Sequence, residues 1–265
     1  MKLSIRRIIQ IMMVVVVIAS CATYAFAADS KEAQPYARNA NGETYGNNIQ
    51  ALELGYEADL IAAKGENDVV GYVRRTDLYN DGVSTVQDAL AANAQTFRYI
   101  PLYLADGETV IGRFPIGSVT DDSAQVEART ILSGDQITDD YAKSKIGQIT
   151  YDDFTGLTQN GCKGIEGGVK GKTAVWTAGT ATQGTSFYGI NVQIYEVSTG
   201  LVVASSGFTY NLSPRVSYSK TLTYYSADTS AEFYCIGMVR IHRPELETYH
   251  THGTFASGWA QPRAQ

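Results

Sequence analysis

Three histidines near the C-terminus have the type and spacing that best suit metal binding. They are His242, His250 and His252. His250 and His252 are two residues apart, so on a strand both rings would point to one side, where they could bind zinc or copper. A hairpin about Arg243–Leu246 would bring His242 and Arg240 to the same face. Because the Arg240 charge would repel a cation, a solvent-facing polar surface is the alternative to a metal site.

Two cysteines of the predicted mature chain, Cys162 and Cys235, could form a disulfide. Export would permit the oxidation, and the bond would close a loop of about 70 residues, which stabilises a fold by roughly 4 kcal/mol. Two unpaired thiols are the alternative, one of them acting as a small buried hydrophobic side chain. The order Cys162, Trp176, Cys235 vaguely resembles an immunoglobulin domain. However, Asn160–Gly164 is predicted to be a loop, and Phe233 stands where that fold has a tyrosine.

No motif in the sequence predicts a catalytic residue or a cofactor. Gly167–Thr173 is similar to a phosphate-binding loop but has three residues between its glycines instead of four, so a flexible loop is predicted. The neighbouring carboxylates Asp121-Asp122, Asp139-Asp140 and Asp152-Asp153 would point to opposite faces of an extended chain, which does not make an acid/base pair. A carbohydrate- or peptidoglycan-active hydrolase that takes its carboxylates from separate loops is one alternative function.

The overall composition predicts a folded protein that does not bind nucleic acid. The 265 residues are 44% hydrophobic and 18% charged, which excludes disorder throughout. The formal net charge is -6, and no basic run offers an electrostatic site for nucleic acid.

Residues 1–27 have the pattern of a signal peptide. Three cations, Lys2, Arg6 and Arg7, precede the apolar run Ile8–Ser20, and Ala25–Ala27 offers a cleavage site. Loss of these cations would take the net charge from -6 to -9. The run is shorter than the roughly 20 residues of a membrane span, and no second run of that length follows. We therefore predict a secreted protein with no transmembrane segment in the mature chain.

Cys21 offers a different outcome for the same segment. Ile18–Cys21 is similar to a lipobox, in which Cys21 would become the lipidated first residue of a membrane-anchored protein. The residues that follow are apolar, whereas a lipoprotein tether should be polar. Ordinary secretion is therefore preferred over anchoring.

The rest of the chain is predicted to be mainly β, with a C-terminal antiparallel β-sandwich preceded by a small α+β module. The module spans residues 28–117, a linker of uncertain structure spans 118–147, and the sandwich spans 148–265. Alternating apolar residues over Ser186–Val197 predict one sandwich strand, and others are expected over Leu201–Ala204, Val216–Tyr225 and Glu232–His242.

Two local signals define the N-terminal module. Ser84 and Gln87 fit a capping box, which predicts a short helix over Asp88–Gln95. The segments Tyr99–Leu104 and Thr109–Ile116 flank an Asp-Gly pair, which predicts a β-hairpin.

This N-terminal stretch resembles a segment of secreted and cell-surface proteins of Gram-positive bacteria. The resemblance covers roughly residues 40–117. It is carried by Asn41–Gly46, Ala58–Ala63, Gly71–Leu78, Ile100–Tyr103 and Thr109–Gly112. The family is uncharacterised, so the resemblance implies a bacterial envelope context and no activity.

Aromatic residues in the sandwich half suggest a binding role. Phe187-Tyr188, Tyr224-Tyr225 and Phe233-Tyr234 should each send one ring outward, and exposed tyrosine on a sheet suits a glycan or a surface protein. The alternative is that tyrosine is simply a good strand residue. The sequence thus predicts an exported, non-catalytic binding or envelope component, with the hydrolase and a metal-binding surface protein as alternatives.

Overall fold

The chain is mainly β, as predicted, in a computed structural model that describes residues 35–95, 97–117, 145–151, 154–177, 187–212, 218–243, 248–253 and 256–264. The predicted signal peptide, Cys21 and nearly all of the predicted linker lie outside these residues. No helix in the described part of the chain is both long enough and apolar enough to cross a membrane.

The described residues before 118 form six strands and three helices. The strands are β1 (Ala37–Arg38), β2 (Thr44–Gly46), β3 (Leu60–Lys64), β4 (Val70–Arg74), β5 (Phe97–Tyr103) and β6 (Val110–Gly117). The helices are α1 (Asn48–Leu54), α2 (Arg75–Tyr79) and α3 (Val86–Ala94), and Glu66–Asp68 forms a single 3-10 turn. Strands β5 and β6 form the predicted hairpin, and Gly107 at φ 74° supplies the left-handed residue of its turn.

The N-cap of α3 lies one residue later than predicted, and the helix begins at Val86, two residues before the predicted Asp88. Thr85, not Ser84, is the N-cap: its side chain accepts a hydrogen bond from the Asp88 backbone N–H, and the Asp88 carboxylate accepts from the Thr85 N–H. Asp88 also accepts from the Ser84 N–H. The carboxylate at the third helical position completes the capping box, a role that the sequence-based prediction gave to Gln87.

In the second half, the part of the chain that the structure describes contains nine strands. They are β7 (Lys145–Tyr151), β8 (Phe154–Ile165), β9 (Gly168–Thr177), β10 (Phe187–Glu196), β11 (Val202–Ser205), β12 (Thr209–Asn211), β13 (Tyr218–Tyr225), β14 (Phe233–Arg243) and β15 (Thr248–Gly253). Two loop predictions are wrong. Asn160–Gly164 lies inside β8, and all of Gly167–Thr173 except the turn residue Gly167 lies in β9.

The strands form two sheets. The smaller sheet has the order β13-β9-β8-β7. The larger has the order β1-β2-β3-β4-β5-β6-β11-β10-β14-β15, with β12 pairing with β10. Strand β11 continues this sheet from one half of the chain to the other, because Val202 pairs with Ala63 of β3 and Ser205 with Ile116 of β6. The described residues from Tyr36 onward form one compact unit, so the predicted module and sandwich share a sheet.

Both faces of strands β10 and β14 are buried. One face packs on the smaller sheet through apolar clusters that include Val192, Ile194, Cys235 and Val239. The other face, which includes Tyr195, Tyr234 and Met238, packs against α2 and α3 in the largest cluster of the described residues. The helical part of the N-terminal half therefore covers a sheet face that strand alternation alone would leave to solvent.

Candidate functional site

The three histidines do not occupy one face of the β14–β15 hairpin. The register pairs His250 with Ile241 and His252 with Val239, whereas His242 pairs with Tyr249 and Arg240 with Thr251. Directly paired residues share a face, so the expected grouping of His242 with His250 and His252 is wrong by one position in register. No group of three or more His, Cys, Asp or Glu that could hold a metal occurs among the described residues. The metal hypothesis for His250 and His252, whose side chains are not described, stays a prediction.

Arg240 and His242 are also not the solvent-facing residues that the alternative interpretation expected. Each is 1% exposed, and the end of α2 and the turn after it cover Arg240. The Arg240 guanidinium donates to the Asp81 carboxylate at 2.8 Å and to the Tyr79 carbonyl at 3.2 Å, and it stacks 4.1 Å from the centre of the Phe208 ring. The buried Arg240 guanidinium, with its ion pair and several acceptors, therefore holds the two halves of the chain together.

The two cysteines are buried free thiols that line the same cluster between the sheets. Cys162 is on β8 of the smaller sheet and Cys235 is on β14 of the larger one. Burial raises the pKa of the Cys162 thiol to about 12, and it raises the pKa of Cys235 as well. The thiols are thus neutral and inert in this form, and the predicted disulfide stays a prediction.

The strongest candidate for a binding site is a row of aromatic rings on the outer face of the N-terminal strands. Along β5 every second residue faces outward, and Ile100 and Leu102 between them are buried. Tyr72 of β4 pairs with Tyr103, and the Tyr45 ring of β2 lies 5.6 Å from the Tyr72 ring. We call this surface the aromatic face; its members are Tyr45, Tyr72, Phe97, Tyr99, Pro101 and Tyr103.

The most exposed rings of the aromatic face are held in fixed positions. Phe97 and Tyr99 are 43% and 41% exposed, and their rings meet edge to face at 5.0 Å. The Tyr99 hydroxyl donates to Glu66 at 2.5 Å, and the Arg113 guanidinium stacks 4.0 Å from the centre of the Tyr99 ring. The hydrogen bond to Glu66 raises the pKa of Tyr99, so the hydroxyl stays protonated. Rings held in this way lose little conformational entropy when a ligand stacks on them.

The charges beside the aromatic face cancel in pairs. Arg113 donates to Glu66 at 2.5 Å, and Arg74, which lies over the Tyr103 ring at 5.3 Å, is bound to Glu43. The hydrogen bonds from Tyr99 and Arg113 hold the pKa of Glu66 below its usual range, so it remains a carboxylate at neutral pH. The surface therefore offers ring faces and hydrogen-bonding groups with no net charge from these two pairs.

Two loop carboxylates, Glu57 and Asp81, form a smaller candidate site. Burial raises the pKa of Glu57, whereas a hydrogen bond of 2.6 Å from the Tyr79 hydroxyl and the charge of Arg75 oppose the shift. The charge of Asp81 is the smallest contribution and raises it. Asp81 is held by Arg240 at 2.8 Å. A carboxyl group with a raised pKa near a second, ion-paired carboxylate is the arrangement that acid/base catalysis uses.

Sequence-based reasoning sought exposed aromatic rings in the C-terminal half, where the prediction is confirmed for some positions and wrong for others. Of the pairs predicted there, Phe233 and Tyr234 are both buried, whereas Tyr225 is 71% exposed. The alternation of rings and buried aliphatic residues over Phe97–Tyr103 was the signal that could have identified the aromatic face.

No protein family, no curated protein and no solved structure matches the chain.

Proposed function

We propose that the protein is an exported, non-catalytic component of a bacterial cell envelope that binds a glycan on the aromatic face. The observation that carries the proposal is the row of outward rings along β5. Phe97 and Tyr99 are more than two-fifths exposed, Tyr99 is fixed by Arg113 and Glu66, and Phe97 packs edge to face on Tyr99. Sugar rings stack on aromatic faces through their C–H groups, and fixed tyrosines offer that area at low entropic cost.

The pairing of charges favours a neutral glycan over an anionic polymer. Arg74 and Arg113 would attract carboxylates or phosphates if they were unpaired, but Glu43 and Glu66 neutralise them. The same groups can still exchange hydrogen bonds with sugar hydroxyls at the rim of the rings. The net negative charge of the chain also disfavours anionic wall polymers.

Export is supported by the sequence. Residues 1–27 have the order of charges, apolar run and small residues that a signal peptide needs, and residues 40–117 resemble secreted proteins of Gram-positive bacteria. Mass spectrometry of the mature N-terminus tests this: Ala28 is the expected first residue. A lipidated Cys21 would instead show an anchored protein.

Binding should be tested on neutral polysaccharides by isothermal titration calorimetry and by sedimentation with insoluble glycans. Tyr99→Ala and Phe97→Ala should each weaken binding by roughly threefold to tenfold, the effect of about 1 kcal/mol per stacked ring. Tyr225→Ala is the matched control, because Tyr225 is a more exposed tyrosine on β13 of the other sheet. Equal losses in Tyr99→Ala and Tyr225→Ala, or no binding to any neutral glycan, would contradict the proposal. Capture of a surface protein through Tyr99 would assign the aromatic face to that partner instead.

The loop-borne carboxylates Glu57 and Asp81 favour a hydrolase as the second candidate function. In such a hydrolase, Glu57 would be the general acid and Asp81 would be the ionised carboxylate. Release of reducing sugar from purified cell walls would test it, with Glu57→Gln expected to abolish the release while thermal stability is kept. No release by the unmodified protein would remove the candidate.

A further inference from the structure

A second surface feature, separate from the aromatic face, is a pocket where the helical layer meets the large sheet. It lies between the end of α3, the outer ends of β5 and β6, the connection from β11 to β12, and β13. We call it the Arg98 pocket; it is lined by Asn80, Ala92, Asn93, Gln95, Arg98, Ile116, Ser206, Gly207, Phe208, Thr209 and Lys220. Its cavity volume is about 40 Å³, which admits only a small group such as a carboxylate.

The described lining has basic side chains and no acidic one. Its ionisable residues are Arg98 and Lys220, and no Asp or Glu belongs to it among the described residues. Lys220 is 7% exposed and already has an interaction within the fold, so Arg98 is the cation that can meet a ligand.

Arg98 has donors to spare. One of its nitrogens donates to the Asp77 carbonyl at 2.6 Å, and the guanidinium forms no ion pair with any described residue. A guanidinium carries five N–H donors in a planar fork. Burial lowers the pKa of Arg98, and the nearby Asp77 charge opposes that shift. A half-buried guanidinium in this state gains from a carboxylate that it can bind through two parallel hydrogen bonds.

The walls of the Arg98 pocket are fixed before any ligand arrives. The Asn93 side chain donates to the Tyr210 carbonyl at 2.8 Å and accepts from the Tyr210 N–H at 2.7 Å, which joins α3 to β12. On the opposite wall, Phe208 lies against the buried Arg240 guanidinium at 4.1 Å. Gly207 has φ 65°, and a Cβ there would come within 2.8 Å of Ile116, so the chain passes too close for a larger residue. Preorganised walls reduce the entropic cost of binding.

We propose that the Arg98 pocket binds a carboxylate, which Arg98 receives in bidentate geometry. Two sources share this chemistry, a small carboxylic acid and the acid group of a sugar. In the second case the sugar ring would lie outside the pocket, because a cavity of about 40 Å³ cannot hold it.

Isothermal titration calorimetry with acetate, glucuronate and glucose tests the proposal on the full protein. We expect heat from glucuronate and none from glucose. Heat from acetate as well identifies a small-acid site, whereas heat from glucuronate alone identifies an acidic sugar. Arg98→Gln should weaken glucuronate binding at least about tenfold, because charge-assisted hydrogen bonds are lost. Arg98→Lys keeps the positive charge but loses the planar arrangement of donors. Its affinity for glucuronate should therefore lie between those of the unmodified protein and Arg98→Gln.

Arg38→Gln is the matched control, since Arg38 also donates to one backbone carbonyl, that of Gly42 at 2.6 Å, but is exposed on β1. Its affinity for glucuronate should equal that of the unmodified protein. Tyr99→Ala should also leave it unchanged, which separates this pocket from the aromatic face. The proposal is overturned if glucose binds as well as glucuronate, if neither acid binds, or if a folded Arg98→Gln or Arg98→Lys variant retains full affinity.

Discussion

At the scale of single residues, the packing between the two sheets decides whether Cys162 and Cys235 can react. Gly171, which pairs with Cys162, leaves space between the sheets: a Cβ there would lie 3.3 Å from the Cys235 sulfur. Both cysteines are fully buried. With the pKa of Cys162 at about 12, the folded protein offers no thiolate to an oxidant. Oxidation therefore has to occur while the chain folds.

We predict that refolding in a glutathione redox buffer joins Cys162 to Cys235. The two thiols would lose two protons and two electrons, and one oxidised glutathione would be reduced to two glutathione molecules. The bond should raise the free energy of unfolding by roughly 4 kcal/mol relative to the same protein refolded under reduction. Urea denaturation with and without reductant measures the difference, and Cys162→Ala is the control that reductant should not affect. An unchanged midpoint in the unmodified protein would rule the bond out.

At the scale of elements, the start of α3 offers a direct comparison of two adjacent hydroxyls. The Thr85 side chain caps the helix by accepting from the Asp88 N–H at 3.1 Å, whereas the Ser84 hydroxyl only donates to the Asp88 side chain at 3.2 Å. We expect Thr85→Ala to lower the free energy of unfolding by about 1 kcal/mol and Ser84→Ala to lower it much less. Thermal or urea denaturation of both variants checks this. A larger loss in Ser84→Ala would show that the cap lies one residue earlier.

The same scale shows what the sequence could predict. Strand β10 and the β5–β6 hairpin follow from local alternation and from a turn pair, both of which are readable along the chain. Strands β8 and β9 could not be predicted in this way, because their glycines are typical of a loop. Gly171 is instead required by a neighbour from the other sheet, with Val192 at 3.1 Å from a Cβ placed there. The close approach of the two sheets depends on residues far apart in the chain, so a short stretch of sequence cannot predict it.

The candidate sites follow the same division. The aromatic face was readable from Phe97–Tyr103, because ring and aliphatic residues alternate there. The burial of Arg240 and His242 was not, since it depends on which part of the chain covers the second face of β14. The Arg98 pocket also needs the tertiary structure, because Arg98 and Lys220 are far apart in sequence.

At the scale of the whole molecule, strand β11 and Arg240 join the two halves that the sequence suggested as separate modules. Val202 and Ser205 of β11 pair with β3 and β6, and Arg240 binds the end of α2. The largest apolar cluster takes residues from both halves. A fold with a shared sheet and a shared core should unfold cooperatively as one unit.

Replacement of Arg240 tests that cooperativity. Arg240→Met removes the donor to the Asp81 carboxylate and to the Tyr79 carbonyl, and loss of one partner of a buried pair costs about 3 kcal/mol. Amides that exchange only through global unfolding should then exchange about a hundredfold faster. We expect the same factor at Ala63 in β3 and at Val192 in β10, measured by native-state hydrogen exchange, and no change in Arg38→Gln. Acceleration at Ala63 with Val192 unaffected would mean that the N-terminal half opens by itself, and the halves would then be independent domains despite their common sheet.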